Sequence, residues 1–314
     1  MLGEWMEKEV RQQPEVLARG AAGYLRDLRG FLEGRSFDMV VIAARGSSDN
    51  AALYGRYLIE VNLGVPVSLA APSVWTRFGR RIRYRNCLAI GISQSGAAPD
   101  VSEVLASIRE DGHATLAITN TPGSRITQAA EFTLLLGAGE ERSVAATKTY
   151  TATLMAMHEL VRALGGELGE PAVPDPDWVE QVLEAAHRAL GPVLRSQTLF
   201  TLSRGYSFAT AQEAALKLME CALLSCKSYS LADFQHGPRA VASHGSAAIV
   251  FGESDESLAQ QGCLVLPAPK PRVVETSAPM WDIVFGQWLA LLAARARGLN
   301  PDDPQFLKKV TQTL

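Results

Sequence analysis

Short apolar segments that alternate with helical segments constrain the fold of this chain more than any other feature. The sequence predicts strands at 38–44, 65–69, 87–92, 115–119 and 132–136, each a nearly continuous apolar run. Strands of this kind are buried on both faces, as in a parallel sheet covered by helices. We therefore expect an α/β fold built on a doubly wound parallel sheet, a flavodoxin-like three-layer sandwich.

A repeat in the sequence extends this prediction to the second half of the chain. A further strand at 198–202 leads into Arg204-Gly205, as the first strand leads into Arg45-Gly46, and the offset between these two turns also carries Ala89-Ile90 onto Ala248-Ile249. Two matches at one offset indicate a duplicated domain. The predicted parts are an N-terminal helical segment at 1–34, a first domain at 35–165, a linker with a helix start at 166–190, and a second domain with a C-terminal tail at 191–314.

Composition excludes several classes of protein. The chain has 314 residues, of which 47% are hydrophobic, enough for two globular cores. A formal charge of −3 argues against binding to nucleic acid. The sequence shows neither a signal peptide nor an apolar stretch of spanning length, so we expect no membrane partner and a cytoplasmic location. Four cysteines without a CxxC pair predict reduced thiols.

Serine-rich loops follow two of the predicted strands. Ser93-Gln94-Ser95-Gly96 precedes a helix that begins near Pro99, and backbone N–H groups at a helix start, together with hydroxyls, can bind a phosphate. Ser47 and Ser48 follow the first strand, at the edge of the sheet where such folds bind ligands. Taken alone, a serine loop is more often a turn with a helix cap. Two such loops favour a phosphate site, and their spacing matches neither a Walker loop nor a hydrolase nucleophile elbow.

Charged residues on one predicted helix are candidates for acid–base chemistry. Glu213, Lys217 and Glu220 stand at positions i, i+4 and i+7 and therefore share a helix face. The alternative is a solvated stripe with one ion pair. His236 follows in a Gly-Pro loop and could act as an acid–base partner of a helical carboxylate.

Eight ordered motifs resemble those of the tandem sugar isomerase (SIS) domain family, in particular the isomerase half of glucosamine-6-phosphate synthase. The resemblance extends over nearly the whole chain. The motifs are MEKEVRQQP at 6–14, RGSS at 45–48, SQSG at 93–96, NTPGS at 120–124, VAATK at 144–148, EAALKLME at 213–220, HGP at 236–238 and KVT at 309–311.

The resemblance implies a role for each candidate residue. Glu220 would move a proton between C1 and C2 of an open-chain sugar phosphate, with Glu213 and Lys217 supporting it. His236 would open the sugar ring from the neighbouring subunit of a homodimer with a shared active site, and Lys309 would reach the sugar carbonyl. No metal or organic cofactor is implied. The implied phosphate ligands are Ser47, Ser48, Ser93, Gln94 and Ser95, with Thr147 nearby.

Departures from the synthase pattern refine the expected activity. Ala97-Ala98 and Ala146 replace polar residues of the synthase, and no glutaminase cysteine stands near the start of this sequence, so glutamine amidotransferase activity is not expected. These features are similar to those of stand-alone deaminases that convert glucosamine 6-phosphate to fructose 6-phosphate and ammonia. Two alternatives remain open: a fructosamine-phosphate deglycase or galactosamine-phosphate deaminase/isomerase with the same site, and a non-catalytic sugar-phosphate-binding regulator. Retention of the set Glu220, His236 and Lys309 relative to the synthase favours an enzyme.

Overall fold

The computed structural model describes residues 1–309 and divides into two compact units, each with one sheet. The first-sheet unit comprises 15–140 and 149–171, and the second-sheet unit comprises 1–14, 141–148 and 172–309. The end of the predicted C-terminal tail, 310–314, lies outside the described residues.

The described chain contains twelve α-helices, nine strands and two short 3₁₀ helices. The α-helices are α1 (Glu4–Arg11), α2 (Gln13–Leu32), α3 (Ser47–Leu63), α4 (Ser73–Thr76), α5 (Pro99–Glu110), α6 (Arg125–Ala129), α7 (Lys148–Ala163), α8 (Pro176–Arg195), α9 (Phe208–Ala222), α10 (Leu231–Phe234), α11 (Ser257–Gln260) and α12 (Ala278–Ala296). The strands are β1 (Met39–Ala43), β2 (Val67–Leu69), β3 (Cys87–Ile92), β4 (Ala114–Thr119), β5 (Phe132–Leu135), β6 (Thr198–Ser203), β7 (Cys226–Ser230), β8 (Ser246–Val250) and β9 (Leu264–Pro267). The 3₁₀ helices are Gly205–Ser207 and Pro238–Val241.

The first sheet is parallel throughout, with the strand order β2-β1-β3-β4-β5. β1 lies between β2 and β3, and Met39 pairs with Cys87 at the start of the β1–β3 register. All six residues of β3 are buried, as expected for a central strand covered on both faces. The order of strands reverses between β1 and β3, which makes their carboxyl ends the expected ligand-binding edge.

The second sheet repeats this topology with four parallel strands in the order β7-β6-β8-β9. The offset that relates Arg204 to Arg45 also relates the first residues of β6, β7 and β8 to those of β1, β2 and β3. The predicted duplication and the predicted class of two tandem α/β domains are therefore confirmed. β7, β9 and α12 were not predicted. β7 and β9 are edge strands with partly exposed residues, and α12 is buried on all faces and so lacks a helical hydrophobic period.

Hydrogen bonds from backbone amides to a carboxylate hold the N-terminal segment in the second-sheet unit. The backbone N–H groups of Trp5 and Met6 donate to the two carboxylate oxygens of Asp302 at 2.8 and 2.9 Å, which caps the start of α1. The two units interleave along the chain, whereas the domain boundaries expected from the sequence follow chain order, and those boundaries stay a prediction.

The sequence predicted a break in the N-terminal helical segment at Pro14. α1 ends and α2 begins near this position, and Pro14 lies in the first turn of α2, where proline is tolerated.

No helix within residues 1–309 combines the length and the apolar character needed to cross a bilayer. All four cysteines are buried and carry free thiols.

Candidate active site

The Ser93–Gly96 loop leaves β3 in a tight turn. The backbone N–H of Gly96 donates to the carbonyl of Ser93 at 3.0 Å, and Gly96 has a φ of 65°. A Cβ at Gly96 would lie 1.9 Å from Oγ of Ser124, so this position has no room for a side chain. The glycine of the motif is thus required by a close approach between two loops.

Residues at the end of β4 hold the loop on its other side. The carbonyl of Gln94 accepts hydrogen bonds from the backbone N–H of Asn120 at 3.1 Å and from Oγ1 of Thr119 at 3.3 Å. Ser93 is buried, whereas the side chains of Gln94 and Ser95 are partly exposed. The N-cap residue of α5 is Ala98, which has no capping side chain, but within the first turn Oδ1 of Asp100 accepts from the backbone N–H of Val101 at 2.9 Å. The groups left for a ligand are therefore the partly exposed side chains of Gln94 and Ser95.

Ser47 and Ser48 lie on the adjacent strand end. α3 begins at Ser47, directly after Gly46, and both serines are partly buried. Nε of Arg45 donates to a carboxylate oxygen of Asp100 at 2.8 Å, which links the loop after β1 to the first turn of α5. The structure therefore brings the loops after β1 and β3 to one edge of the first sheet. Asp100 was not among the predicted residues, because nothing in its local sequence marks it as a partner of Arg45.

The three charged residues of α9 form one cluster in the second-sheet unit. Nζ of Lys217 lies 3.3 Å from Oε1 of Glu213 and also donates to Glu220. Lys217 and Glu213 are buried, but the side chain of Glu220 is 25% exposed. The alternative of a solvated stripe is therefore excluded.

Electrostatics hold Lys217 in its charged form. Burial disfavours the ammonium and lowers the pKa of Lys217, but the carboxylates of Glu213 and Glu220 outweigh burial and raise that pKa above its ordinary value. Lys217 consequently stays a cation at any ordinary pH. Its position between two carboxylates fixes the orientation of Glu220, the one member of the cluster that reaches solvent.

Thr147 and Lys309 both donate hydrogen bonds to the buried carboxylate of Glu141, a residue that was not predicted from the sequence. Oε1 of Glu141 accepts from the backbone N–H of Thr147 at 3.1 Å and from its hydroxyl at 3.3 Å. Oε2 of Glu141 accepts from Nζ of Lys309 at 2.9 Å, and the same ammonium donates to the carbonyl of Ser143 at 2.6 Å. Two of the predicted site residues are therefore joined through Glu141, and Thr147 is fully buried.

The segment 141–148 is held by further buried polar groups. The carboxylate of Glu9 accepts from the backbone N–H groups of Arg142 and Ser143, and burial raises the pKa of Glu9. Nζ of Lys148 donates to Oε1 of Gln12 at 2.9 Å, and burial lowers the pKa of Lys148. Glu9 and Gln12 belong to the N-terminal motif MEKEVRQQP and Lys148 to the motif VAATK, and these two motifs are the signals by which the network could have been found.

His236 forms no hydrogen bond with these groups in the described chain. It is exposed in the loop between α10 and the second 3₁₀ helix, and its backbone N–H donates to the carbonyl of Asp233 at 3.0 Å. Among residues 1–309 its imidazole has no hydrogen-bond partner, and no group of three or more His, Cys, Asp or Glu side chains is placed to hold a metal ion.

Comparison with known proteins identifies the domain in the first half of the chain. Residues 36–163 match the SIS domain model. The chain is 27% identical over 97% of its length to glutamine–fructose-6-phosphate aminotransferase (isomerizing) of Streptococcus pneumoniae R6. It is 31% identical over 98% of its length to glutamine–fructose-6-phosphate aminotransferase (isomerizing) 1 of Arabidopsis thaliana. The chain spans little more than half of these relatives, 58% and 54% of their lengths.

Solved structures show the same fold. A candidate phosphosugar isomerase from Silicibacter pomeroyi DSS-3 aligns with a TM-score of 0.81 at 28% identity, covering 95% of this chain and 99% of the other. Glucosamine-6-phosphate deaminase from Thermotoga maritima aligns with a TM-score of 0.78 at 20% identity, covering 95% of this chain and 100% of the other, a likeness that concerns the fold alone. The resemblance drawn from the motifs, a SIS-family chain related to the isomerase part of the synthase, is confirmed.

Proposed function

We propose that this chain is an amino-sugar-phosphate deaminase and isomerase that converts glucosamine 6-phosphate to fructose 6-phosphate and ammonia. The observation that carries the proposal is the α9 cluster, in which the buried Lys217–Glu213 pair orients the partly exposed carboxylate of Glu220. Aldose–ketose interconversion requires one positioned carboxylate that removes a proton from one carbon and delivers it to the next.

The reaction would use the predicted residues one after another, in the following order. The serine loops after β1 and β3 bind the phosphate, and His236 assists opening of the sugar ring. Glu220 then takes the proton from C2 and returns it to C1, which converts the amino aldose into a ketose imine. Water adds to the imine carbon and ammonia leaves, so that fructose 6-phosphate is formed without any change in oxidation state overall.

The proposal includes a cytoplasmic homodimer with a shared active site. The exposed imidazole of His236 supports this part, because a residue without partners in its own described chain can be supplied to a site on a second copy. Fructosamine phosphate and galactosamine phosphate are alternative substrates for the same groups. A regulator without catalysis is disfavoured, since binding a sugar phosphate does not require a carboxylate held by a buried ion pair.

An ammonia-release assay tests the proposal and its alternatives together. The panel is glucosamine 6-phosphate, galactosamine 6-phosphate, a fructosamine phosphate and unphosphorylated glucosamine. We expect glucosamine 6-phosphate to be turned over and unphosphorylated glucosamine to be neither turned over nor bound. Binding of the phosphorylated sugars without release of ammonia or isomerisation would instead indicate a regulator.

The Glu220→Gln variant tests the carboxylate itself. Removal of a positioned general base lowers turnover by about 10² to 10⁴, and we expect this loss with little change in the Kd for the sugar phosphate. The matched control is Glu184→Gln, the same substitution at an exposed residue of α8 in the same unit. Normal turnover in both variants would contradict the assignment of Glu220.

A further inference from the structure

An open cavity of about 640 Å³ lies in the second-sheet unit, at the carboxyl ends of β6 and β8. Ser203 ends β6 and Phe251 directly follows β8, and both line the cavity. The order of strands reverses between β6 and β8, and doubly wound sheets bind their ligands at such a point. The volume is within the range of sites for small organic molecules.

The sequence offset between the two halves makes this cavity the counterpart of the serine-loop site of the first sheet. It relates β1 to β6 and β3 to β8, and it places Ser207, which lines the cavity, at the position of Ser48. The loop after β8 has nevertheless diverged, since Gly252-Glu253 occupies the positions of Ser93-Gln94. The second cavity therefore has the place of a phosphate site and a different set of polar groups.

A buried carboxyl group lies in the wall of the cavity. Asp282 on α12 is only 4% exposed, and its carboxylate accepts a hydrogen bond from Oγ of Ser207 at 2.9 Å. Among the described residues no lysine or arginine forms an ion pair with it. A carboxylate removed from water without a cationic partner is unfavourable, and such groups are frequent where a protein binds a ligand.

Exposed charged residues of both signs border the cavity. Arg204 follows β6 and Lys270 follows β9, and the carboxylates of Glu253 and Glu275 lie in the same lining. Cations can bind a phosphate, and carboxylates accept hydrogen bonds from hydroxyl groups. We propose that this cavity binds a small phosphorylated polyol, with the phosphate on Arg204 and Lys270 and hydroxyl groups on Asp282 and Glu275.

This ligand would be separate from the one at the α9 cluster. Ser207 immediately precedes α9, whereas Glu220 lies in the last turn of that helix. At a rise of about 1.5 Å per residue, the helix between the two positions is about 20 Å long. The cavity and the cluster therefore lie at opposite ends of one helix.

Isothermal titration of the full chain with fructose 6-phosphate, glucose 6-phosphate and glycerol 3-phosphate tests the inference. We expect at least one of these probes to bind at two sites per chain, and unphosphorylated fructose to bind at neither. The double variant Arg204→Gln/Lys270→Gln should weaken one of the two binding events at least tenfold. Arg272→Gln, an exposed cation close to the cavity in sequence but outside its lining, should leave both events unchanged.

A reciprocal variant separates this inference from the proposed function. The double variant Ser93→Ala/Ser95→Ala should weaken the binding event that Arg204→Gln/Lys270→Gln leaves intact. If it does not, the result counts against phosphate binding by the serine loops and not against the cavity. A single binding event per chain for every probe, or two events that Arg204→Gln/Lys270→Gln leaves intact, would overturn the inference. Because both substituted side chains are exposed, an unchanged Tm is expected and confirms that the variants are folded.

Discussion

At the scale of single residues, Lys217 contacts two glutamates of α9 that differ in burial. Glu213 and Lys217 form a buried ion pair, and Glu220 uses the same ammonium but reaches solvent. Removal of one member of a buried pair leaves the other charge without compensation, whereas removal of an exposed member does not. The two glutamates of α9 should therefore respond differently to the same substitution.

We expect Glu213→Gln to destabilise the protein by about 3 kcal/mol, because Lys217 would lose its fully buried counter-charge. Glu220→Gln should cost less than about 1 kcal/mol, since its side chain is partly solvated. The Tm of the two variants, measured side by side by calorimetry, provides the comparison. Equal losses of Tm would show that Glu220 is as structural as Glu213.

Asp282 predicts a dependence of stability on pH. Burial raises the pKa of Asp282 to about 7, although Lys270 opposes the shift. An unfolded aspartate has a pKa of about 3.9, so between about pH 4 and pH 7 the folded chain binds the extra proton. Stability contributed by this group is therefore lost as the pH rises through that range, and the loss is complete above pH 7.

The Asp282→Asn variant should remove this loss. We expect it to match the wild type near pH 4 and to exceed its stability at pH 8, by up to about 4 kcal/mol. Urea denaturation at several pH values measures the difference, and the other groups around the cavity (Arg204, Glu253, Lys270 and Glu275) are present in both proteins. Parallel pH profiles would show that Asp282 is ionised in the folded state at neutral pH.

At the scale of elements, the loop after β3 depends on the loop after β4. Gly96 and Gly123 share a φ of 65°, but a Cβ at Gly123 would meet nothing within 4 Å, whereas one at Gly96 would collide with Ser124. A side chain would therefore strain the backbone similarly at both positions, but only at Gly96 would it also clash with a neighbouring side chain.

We predict that Gly96→Ala costs about 1 to 3 kcal/mol more than Gly123→Ala, because only the former forces the two loops apart. It should also weaken binding of a sugar phosphate, since Ser93, Gln94 and Ser95 would move. Tm and Kd measured for both variants test this, and the double variant Gly96→Ala/Ser124→Gly should recover part of the loss. Equal effects of the two single substitutions would mean that the loops are not packed as described.

At the scale of the whole molecule, the proposed function depends on a second copy of the chain. Size-exclusion chromatography with light scattering should give twice the mass of one chain. When inactive Glu220→Gln and His236→Ala chains are mixed in equal amounts, half of the dimers are mixed, and each contains one intact site if Glu220 and His236 come from different chains. About a quarter of wild-type activity should then return. No recovery after confirmed exchange of subunits would place His236 in its own chain or outside the reaction.

The sequence predicted the first sheet almost completely because its strands are short apolar runs that end in turn residues. β3 was predicted with its observed bounds, and β1 to within one residue at each end. β7 and β9 were not predicted because edge strands carry polar and partly exposed residues. α12 was not predicted because a helix buried on all faces shows no hydrophobic periodicity in its sequence. In the site, the motif residues were predicted, whereas Asp100, Glu141 and Asp282 were not.

The sequence by itself determined the local structure: which segments form strands, where they end, where glycine and serine turns stand, and that the domain is repeated. Only the tertiary structure decided which polar groups meet and which are buried. Lys309 and Glu141 are 168 residues apart in sequence and share a hydrogen bond of 2.9 Å. Turn and strand preferences act between neighbours, but burial and ion pairing depend on residues that folding brings together. For this reason the charged face of α9 was visible in the sequence, and the burial of Lys217 was not.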